Sequence, residues 1–217
     1  MKLGSSDLDI SRMGLGGNVF GWTADEATSH RVLDVYTGQG GTFVDTADGY
    51  SAWADGNAGG ESETIIGSWL RRRGRRDDVV IATKVSTKPG RTGLAPGNVR
   101  TALEESLTRL GTDYVDLYQA HRYDYETPLE ETMAAFADVL RSGKALYIGV
   151  SEWTADQIRS GQEMAGQMGF RLVSNQPQYS ALWRVIEERV VPACSELGMG
   201  QVVWSPMAEG ILSGKYL

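Results

Sequence analysis

Two side chains close to residue 45 could carry out acid–base chemistry together. The stretch GTFVDTADGYS (41–51) ends a short apolar run on Asp45 and places a phenol, Tyr50, shortly after it. Asp is a common turn residue, so Asp45 alone has an ordinary structural explanation. A phenol with its usual pKa of about 10 is a poor acid near neutrality, so Tyr50 would need a partner that tunes it.

Other polar or aromatic residues end further strand-like runs. In chain order the ends of seven such runs are Gly17-Asn18, Asp45, Lys84, His121, Ser151, Gln176 and Trp204. Each has a structural alternative, such as a turn acid, a surface cation, a buried imidazole or simple packing. Their joint occurrence at equivalent positions favours one site built from strand ends.

The elements that must position these residues alternate along the chain. Short β-rich runs recur every 25–40 residues, and segments between them carry apolar residues at helical spacing. This rhythm predicts βα units with a parallel sheet. An open sheet that binds a dinucleotide is expected to carry G-x-G-x-x-G after its first strand, and GLGGNVFGW lacks that spacing. The pattern therefore favours a (β/α)₈ TIM barrel, in which strand C-termini build the active site.

Helix boundaries also have signals in the sequence. Thr23, Thr127 and Thr154 are predicted to begin helices, because each is followed by residues typical of a first helical turn. Predicted helix ends lie at Gly111, Gly143, Gly169 and Gly198.

In a barrel, the second, third and fourth strands would bring Asp45, Lys84 and His121 together beneath Tyr50. An ammonium and an imidazole beside a phenol favour the phenolate, so the sequence predicts a lowered pKa for Tyr50. The carboxylate would keep the lysine charged. Such a group is a general acid, and its reactive partner is expected to be a bound cofactor.

Composition limits the remaining possibilities. The 217 residues carry a net charge of -7 and are 41% hydrophobic, which predicts one globular domain over 1–217 and argues against a nucleic-acid partner. RRRGRR (71–76) is interpreted as the solvated end of a helix, with a phosphate patch as the alternative. A single cysteine, Cys194, and no signal peptide or long apolar run predict a cytoplasmic protein without membrane contact. Two histidines make a metal site unexpected.

At this point the motifs resemble a known family. VDTADGY, IATK and YQAH are similar to the Asp–Tyr–Lys–His tetrad of the aldo-keto reductases. GVSEW, NQPQYS and VVWSPMAEGILSGKY resemble that family's nicotinamide and pyrophosphate segments, in the branch with bacterial reductases and potassium-channel β-subunits. The resemblance implies an oxidoreductase that reduces an aldehyde or ketone by hydride transfer from NADPH. Tyr50 would be the general acid, Asp45 and Lys84 would tune it, and His121 would orient the carbonyl.

The resemblance also implies a cofactor site. Trp204 would stack on the nicotinamide, Ser151 and Gln176 would bind its carboxamide, and a loop with a lysine would follow the pyrophosphate, although GILSGKY could instead be a helix exit. Glu152 stands where many family members have Asn, which puts one contact in doubt. The full set implied is Gly17, Asn18, Ser151, Glu152, Gln176, Trp204, Ser205, Pro206, Met207, Ala208 and Lys215.

The substrate is not defined by the sequence. Four aromatic residues could line a pocket above the nicotinamide or could pack loops: Phe20, Trp22, Trp53 and Tyr123.

The chain reaches Leu217 after only seven predicted strands. Compared with the usual barrel, the C-terminal βα unit is missing, so the native protein is expected to continue for about 80–120 residues. The first and seventh strands should then flank a gap. The family's segment for the adenosine 2′-phosphate would lie beyond Leu217, so the preference for NADP(H) or NAD(H) is left open. The sequence does not define the oligomeric state either.

Two other functions remain possible at this stage. One is a cofactor-binding regulatory subunit similar to the channel β-subunits. The other is a lyase that forms a Schiff base on Lys84, since barrels also support that chemistry.

Overall fold

The computed structural model describes residues 1–216, which form a curled, seven-stranded parallel sheet with helices between the strands. The strands are β1 (Leu15–Gly16), β2 (Phe43–Asp45), β3 (Val80–Val85), β4 (Thr87–Lys88), β5 (Arg91–Thr92), β6 (Val115–Ala120), β7 (Ala145–Ser151), β8 (Leu172–Gln176) and β9 (Gly200–Gln201). The helices are α1 (Glu26–Gly38), α2 (Glu61–Arg73), α3 (Pro96–Leu110), α4 (Leu129–Arg141), α5 (Ala155–Gln167) and α6 (Val190–Glu196). Short 3₁₀ helices span Val185–Glu187 and Ala208–Ser213.

The sheet has the strand order β1-β2-β3-β6-β7-β8-β9, and every neighbouring pair is parallel. Strands β4 and β5 form a separate antiparallel hairpin. The prediction of a (β/α)₈-type barrel with seven strands is confirmed, and β1 and β9 are the two edges of the sheet. No helix among residues 1–216 combines the length and apolar character needed to span a bilayer.

Burial on both faces explains why the central strands are so apolar. All six residues of β6 are buried, as are five of the six in β3, which is typical of a parallel strand covered on both sides. The main core lies between the sheet and its helices. A smaller core joins Phe43, Leu117 and Val173 to Leu3 and Leu8 of the N-terminal segment.

Helix ends follow the sequence signals with two exceptions. Thr154 forms the capping box with Gln157, as predicted. The prediction for Thr23 is wrong, because the N-cap of α1 is Asp25, whose carboxylate accepts from the backbone N–H of Thr28 at 2.8 Å. Helix α4 begins one residue later than predicted, with Pro128 in place of Thr127 at the N-cap. The predicted terminal glycines all have left-handed backbones at or just after a helix end: Gly111, Gly143, Gly169 and Gly198.

The arginine-rich stretch 71–76 ends α2, as the sequence indicates. Its guanidinium groups pair with carboxylates of the same chain, for example Arg73 with Asp78 at 2.6 Å and Arg76 with Asp116 at 2.8 Å. These ion pairs favour the structural interpretation of the stretch over a phosphate-binding patch.

Candidate active site

The four predicted catalytic side chains meet at the C-terminal ends of β2, β3 and β6. Asp45 is the last residue of β2, Lys84 lies near the end of β3, and His121 follows β6, where its backbone N–H donates to Val85 at 2.9 Å. Tyr50 comes from the loop after β2 and lies above them. The parallel register places these strand ends side by side, so residues far apart in sequence share one rim.

Lys84 is the centre of this group and is completely buried. Its Nζ donates to Asp45 Oδ2 at 2.6 Å, to the backbone carbonyl of Thr46 at 2.9 Å and to the phenol oxygen of Tyr50 at 2.8 Å. An ammonium has three N–H bonds, so these acceptors use all of them. Lys84 is therefore held in one position as a charged donor to Tyr50.

Asp45 is held from the opposite side by two amides. Its Oδ1 accepts from Gln176 Nε2 at 2.9 Å and from Gln119 Nε2 at 3.4 Å, while Oδ2 also accepts from the phenol O–H of Tyr50 at 3.2 Å. Gln119 was not identified from the sequence, although its position two residues before His121 on an alternating strand would place it on the same face.

The predicted lowering of the phenol pKa is wrong for this arrangement. Burial, followed by the charge of Asp45 and its hydrogen bond, holds the pKa of Tyr50 well above its ordinary value. Burial lowers the pKa of Lys84, and the ion pair with Asp45 opposes that shift. The ammonium favours the phenolate, but the cost of burying a phenolate beside a carboxylate is larger. Tyr50 thus keeps its proton at neutral pH.

His121 is oriented by a residue that the sequence did not indicate. Its Nδ1 lies 2.9 Å from Thr87 Oγ1 in β4, and its ring lies edge-on to Tyr50, with 5.7 Å between the ring centroids. Burial, with smaller effects from Lys84 and Arg122, holds the pKa of His121 well below 6.5. The imidazole is therefore neutral, and Nε2 carries its proton when Thr87 donates to Nδ1.

A cavity of about 890 Å³ extends from this rim along the edge strands β1 and β9 to the N-terminal segment, where Met1, Leu3 and Ile10 line it. Its wall contains Tyr50 and most of the residues predicted for catalysis or cofactor binding, including Asn18, Asp45, His121, Ser151, Gln176, Trp204, Ser205 and Pro206. Several predicted residues do not line it: Gly17, Lys84, Glu152, Met207, Ala208 and Lys215. Lys84 acts from behind Tyr50, and Gly17 makes a backbone hydrogen bond to Asp45 at 2.7 Å.

The polar part of the cavity wall is preassembled by hydrogen bonds. Ser151 Oγ donates to the backbone carbonyl of Gln176 at 2.8 Å, and the Gln176 amide donates to Asp45. The side-chain carbonyl of Gln176 and the second N–H of its amide make no hydrogen bond within residues 1–216, so both could serve a ligand.

Trp204 forms an aromatic part of the wall and is fixed by Glu152. The indole Nε1 donates to Glu152 Oε1 at 2.7 Å, and the same oxygen accepts from the backbone N–H of Gln178 at 2.6 Å. Glu152 thus contacts the wall residue and not the cavity itself.

The loop after Trp204 has an unusual backbone. Ser205, Ala208 and Glu209 have φ values of 52°, 47° and 56°, which are uncommon for residues with a Cβ. The backbone N–H groups of Ala208 and Gly210 donate within this loop, to the carbonyls of Ser205 and Met207 at 2.9 and 3.0 Å. Lys215 is exposed, and its Nζ lies 5.3 Å from the ring centroid of Tyr216, outside the cavity wall.

The four aromatic residues proposed for the substrate pocket separate into two pairs. Trp53 lines the cavity and is about half exposed, edge-on to Tyr50 and to Trp22, with centroid distances of 6.1 and 5.8 Å. Phe20 is instead buried in the main core, and Tyr123 packs against Trp153 with 4.9 Å between centroids. The structure therefore gives Phe20 and Tyr123 packing roles, and neither residue lines the cavity.

The chain is similar to known proteins over nearly its whole length. The profile described as Aldo/keto reductase family matches residues 12–217. The chain is 42% identical to "Uncharacterized oxidoreductase YrpG" of Bacillus subtilis, over 99% of the chain and 68% of that protein. It is 37% identical to "Probable voltage-gated potassium channel subunit beta" of Oryza sativa, over 99% of the chain and 66% of that protein. It is 34% identical to "Protein tas" of Escherichia coli, over 100% of the chain and 70% of that protein. The chain thus spans about two thirds of the length of these relatives. It belongs to the aldo/keto reductase family.

Proposed function

We propose that the protein is a carbonyl reductase that reduces an aldehyde or ketone with NADP(H), with Tyr50 as the general acid. The observation that carries this proposal is the contact of 2.8 Å between Lys84 Nζ and the phenol oxygen of Tyr50 on the wall of a cavity. Membership of a family with relatives named as oxidoreductases supports the reaction class.

The residues present fit a nicotinamide dinucleotide. At the rim the cavity wall combines the indole of Trp204 with the side-chain amide of Gln176, an apolar surface with a few polar groups of the kind that binds small ligands. The turn after Trp204 borders the cavity through Ser205 and Pro206, so this segment would follow a pyrophosphate. Asp45 holds the side-chain amide of Gln176, and Ser151 holds its backbone carbonyl, so the amide need not reorganise when a carboxamide binds.

A reduced nicotinamide, when bound, would supply the hydride, and the protein's own residues would handle the proton. Tyr50 holds its proton in the free site and would donate it to the carbonyl oxygen as that oxygen becomes an alkoxide, a much stronger base than the carbonyl. Lys84 already donates to the phenol oxygen, so the phenolate that remains would have a charge-assisted hydrogen bond. His121 Nε2 would hold the carbonyl oxygen in place.

A second candidate function is a cofactor-binding regulatory subunit. The observation that favours it is the 37% identity to a relative named as a potassium channel subunit beta. The complete group of Asp45, Tyr50, Lys84 and His121 favours turnover instead, because binding a cofactor would not require a buried donor behind the phenol.

The geometry of Lys84 argues against Schiff-base chemistry. Its Nζ is buried and makes three hydrogen bonds, and a carbonyl adduct, with at most one N–H, would leave at least two of these three acceptors without their donor. Unpaired buried polar groups are costly.

The test is a panel of aldehydes and ketones with NADPH and with NADH, followed by loss of the reduced nicotinamide's absorbance. Carbonyl-dependent oxidation that Tyr50→Phe abolishes supports the proposal. Tight cofactor binding without turnover of any carbonyl would favour the regulatory subunit. Trapping of substrate on the protein by borohydride, lost in Lys84→Met, would favour the lyase.

A further inference from the structure

Glu152 occupies an unusual backbone position beside the cavity. It directly follows β7 with a φ of 58°, in the left-handed region that Gly and Asn adopt more readily than Glu. A long acidic residue has no local reason to be there. Its side-chain contacts must therefore account for its position.

Those contacts tie the ends of three strands together. Glu152 Oε1 accepts from the indole Nε1 of Trp204, beyond β9, and from the backbone N–H of Gln178, beyond β8, at 2.7 and 2.6 Å. The two donors also lie in a parallel bridge, and Trp204 N donates to the Pro177 carbonyl at 3.1 Å. The indole is thus held by its own ring nitrogen as well as by its backbone.

The charge of Glu152 matters as well as its position. Both of its donors are neutral N–H groups, so the hydrogen bonds leave the negative charge in place. A carboxylate that accepts from an indole N–H polarises the ring and adds negative potential at its face. Trp is already the side chain whose face attracts cations most strongly. A flat cation against Trp204 would be favoured over a neutral ring of the same shape.

A nicotinamide ring has these two forms, because it is cationic when oxidised and neutral when reduced. We infer that Glu152 is a positioning residue for Trp204 and that, through the indole hydrogen bond, it strengthens binding of the oxidised nicotinamide cofactor relative to the reduced one. This inference rests on the proposed function, in which Trp204 contacts the nicotinamide.

The experiment measures dissociation constants for NADP⁺ and NADPH by calorimetry, or for NAD⁺ and NADH if the wild type binds that pair. Calorimetry is chosen because the chain has six tryptophans, which would confuse a fluorescence signal. The variant is Glu152→Gln, which keeps a carbonyl acceptor for the indole and removes the charge. We expect binding of the oxidised form to weaken on the order of fivefold, and binding of the reduced form to change by less than about twofold.

Trp204→Phe is the second variant, because it keeps an aromatic ring and removes the N–H through which Glu152 acts. In this background Glu152→Gln should no longer change the ratio of the two dissociation constants. Equal weakening of both forms by Glu152→Gln, or an undiminished effect in the Phe background, would overturn the inference while leaving the proposed function intact. A wild type that binds neither form would refute the proposed function and this inference with it.

Discussion

Asp48 is a buried acid in the loop that carries Tyr50, and it should destabilise the protein near neutral pH. The residue is fully buried, and neither carboxylate oxygen has a hydrogen-bond partner within residues 1–216. Burial is the main cause that raises its pKa from 3.8 to about 7, with a further rise from the buried Glu63. Arg91, Arg109 and Lys88 oppose the shift without cancelling it.

The size of the effect follows from that shift. A rise from 3.8 to about 7 corresponds to about 4 kcal/mol, since one pKa unit equals about 1.4 kcal/mol. Below the unfolded pKa both states hold the proton and there is no cost. As the pH rises toward about 7, the unfolded state releases its proton first, so the free energy of unfolding falls. Asp48→Asn removes this cost and should stabilise the protein by about 4 kcal/mol near pH 8 and by about 1.5 kcal/mol near pH 5.

Urea unfolding of the wild type and Asp48→Asn at several pH values between these limits measures the difference. Asp55→Asn is the matched control, because Asp55 lies in the same loop and is exposed. It should change the free energy of unfolding by less than about 0.5 kcal/mol at every pH. A stabilisation by Asp48→Asn that does not grow with pH, or a loss of stability near pH 8, would refute the reasoning by showing that the carboxylate has a favourable partner.

Three further outcomes are expected. Tyr50→Phe should lower kcat about 10²–10⁴-fold in steady-state kinetics, with little change in the cofactor dissociation constant measured by calorimetry. Lys84→Met should lower kcat to a similar extent. Near-normal turnover in Tyr50→Phe would exclude Tyr50 as the general acid. Trp204→Ala should weaken cofactor binding, and unchanged affinity would exclude stacking on this ring. Gly67→Ala should destabilise the protein by about 1–3 kcal/mol in urea unfolding, because the Cβ of the new alanine would lie 2.1 Å from the carbonyl oxygen of Arg109. Gly97→Ala is the control, because Gly97 has open space around it, and it should be neutral or slightly stabilising.

The order of the seven strands and the meeting of Asp45, Lys84 and His121 were predictable, because both depend on features that are local in the chain. Apolar runs, terminal glycines and a polar residue after each strand are readable within a few positions, and a parallel sheet then brings strand ends to one rim. The hairpin of β4 and β5 was not predictable in this way. Its four paired residues are polar, and Thr87 is important only because it contacts His121 across the rim.

The properties that decide how the site works depend instead on distant residues that share a small volume. The sequence indicates that Lys84 lies near Tyr50. Whether the pKa of the phenol is raised or lowered depends on whether burial and Asp45 outweigh the ammonium, and this can be decided only from the positions of the groups in the structure. Asp48 and Asp45 are three residues apart, yet Asp45 accepts from a lysine, a phenol and two amides, whereas Asp48 has no hydrogen-bond partner among the described residues. Glu152 likewise stood out only as a departure from a motif. Its contact with Trp204 gives that departure a physical meaning, because the two residues are far apart in sequence and meet only where neighbouring strand ends converge.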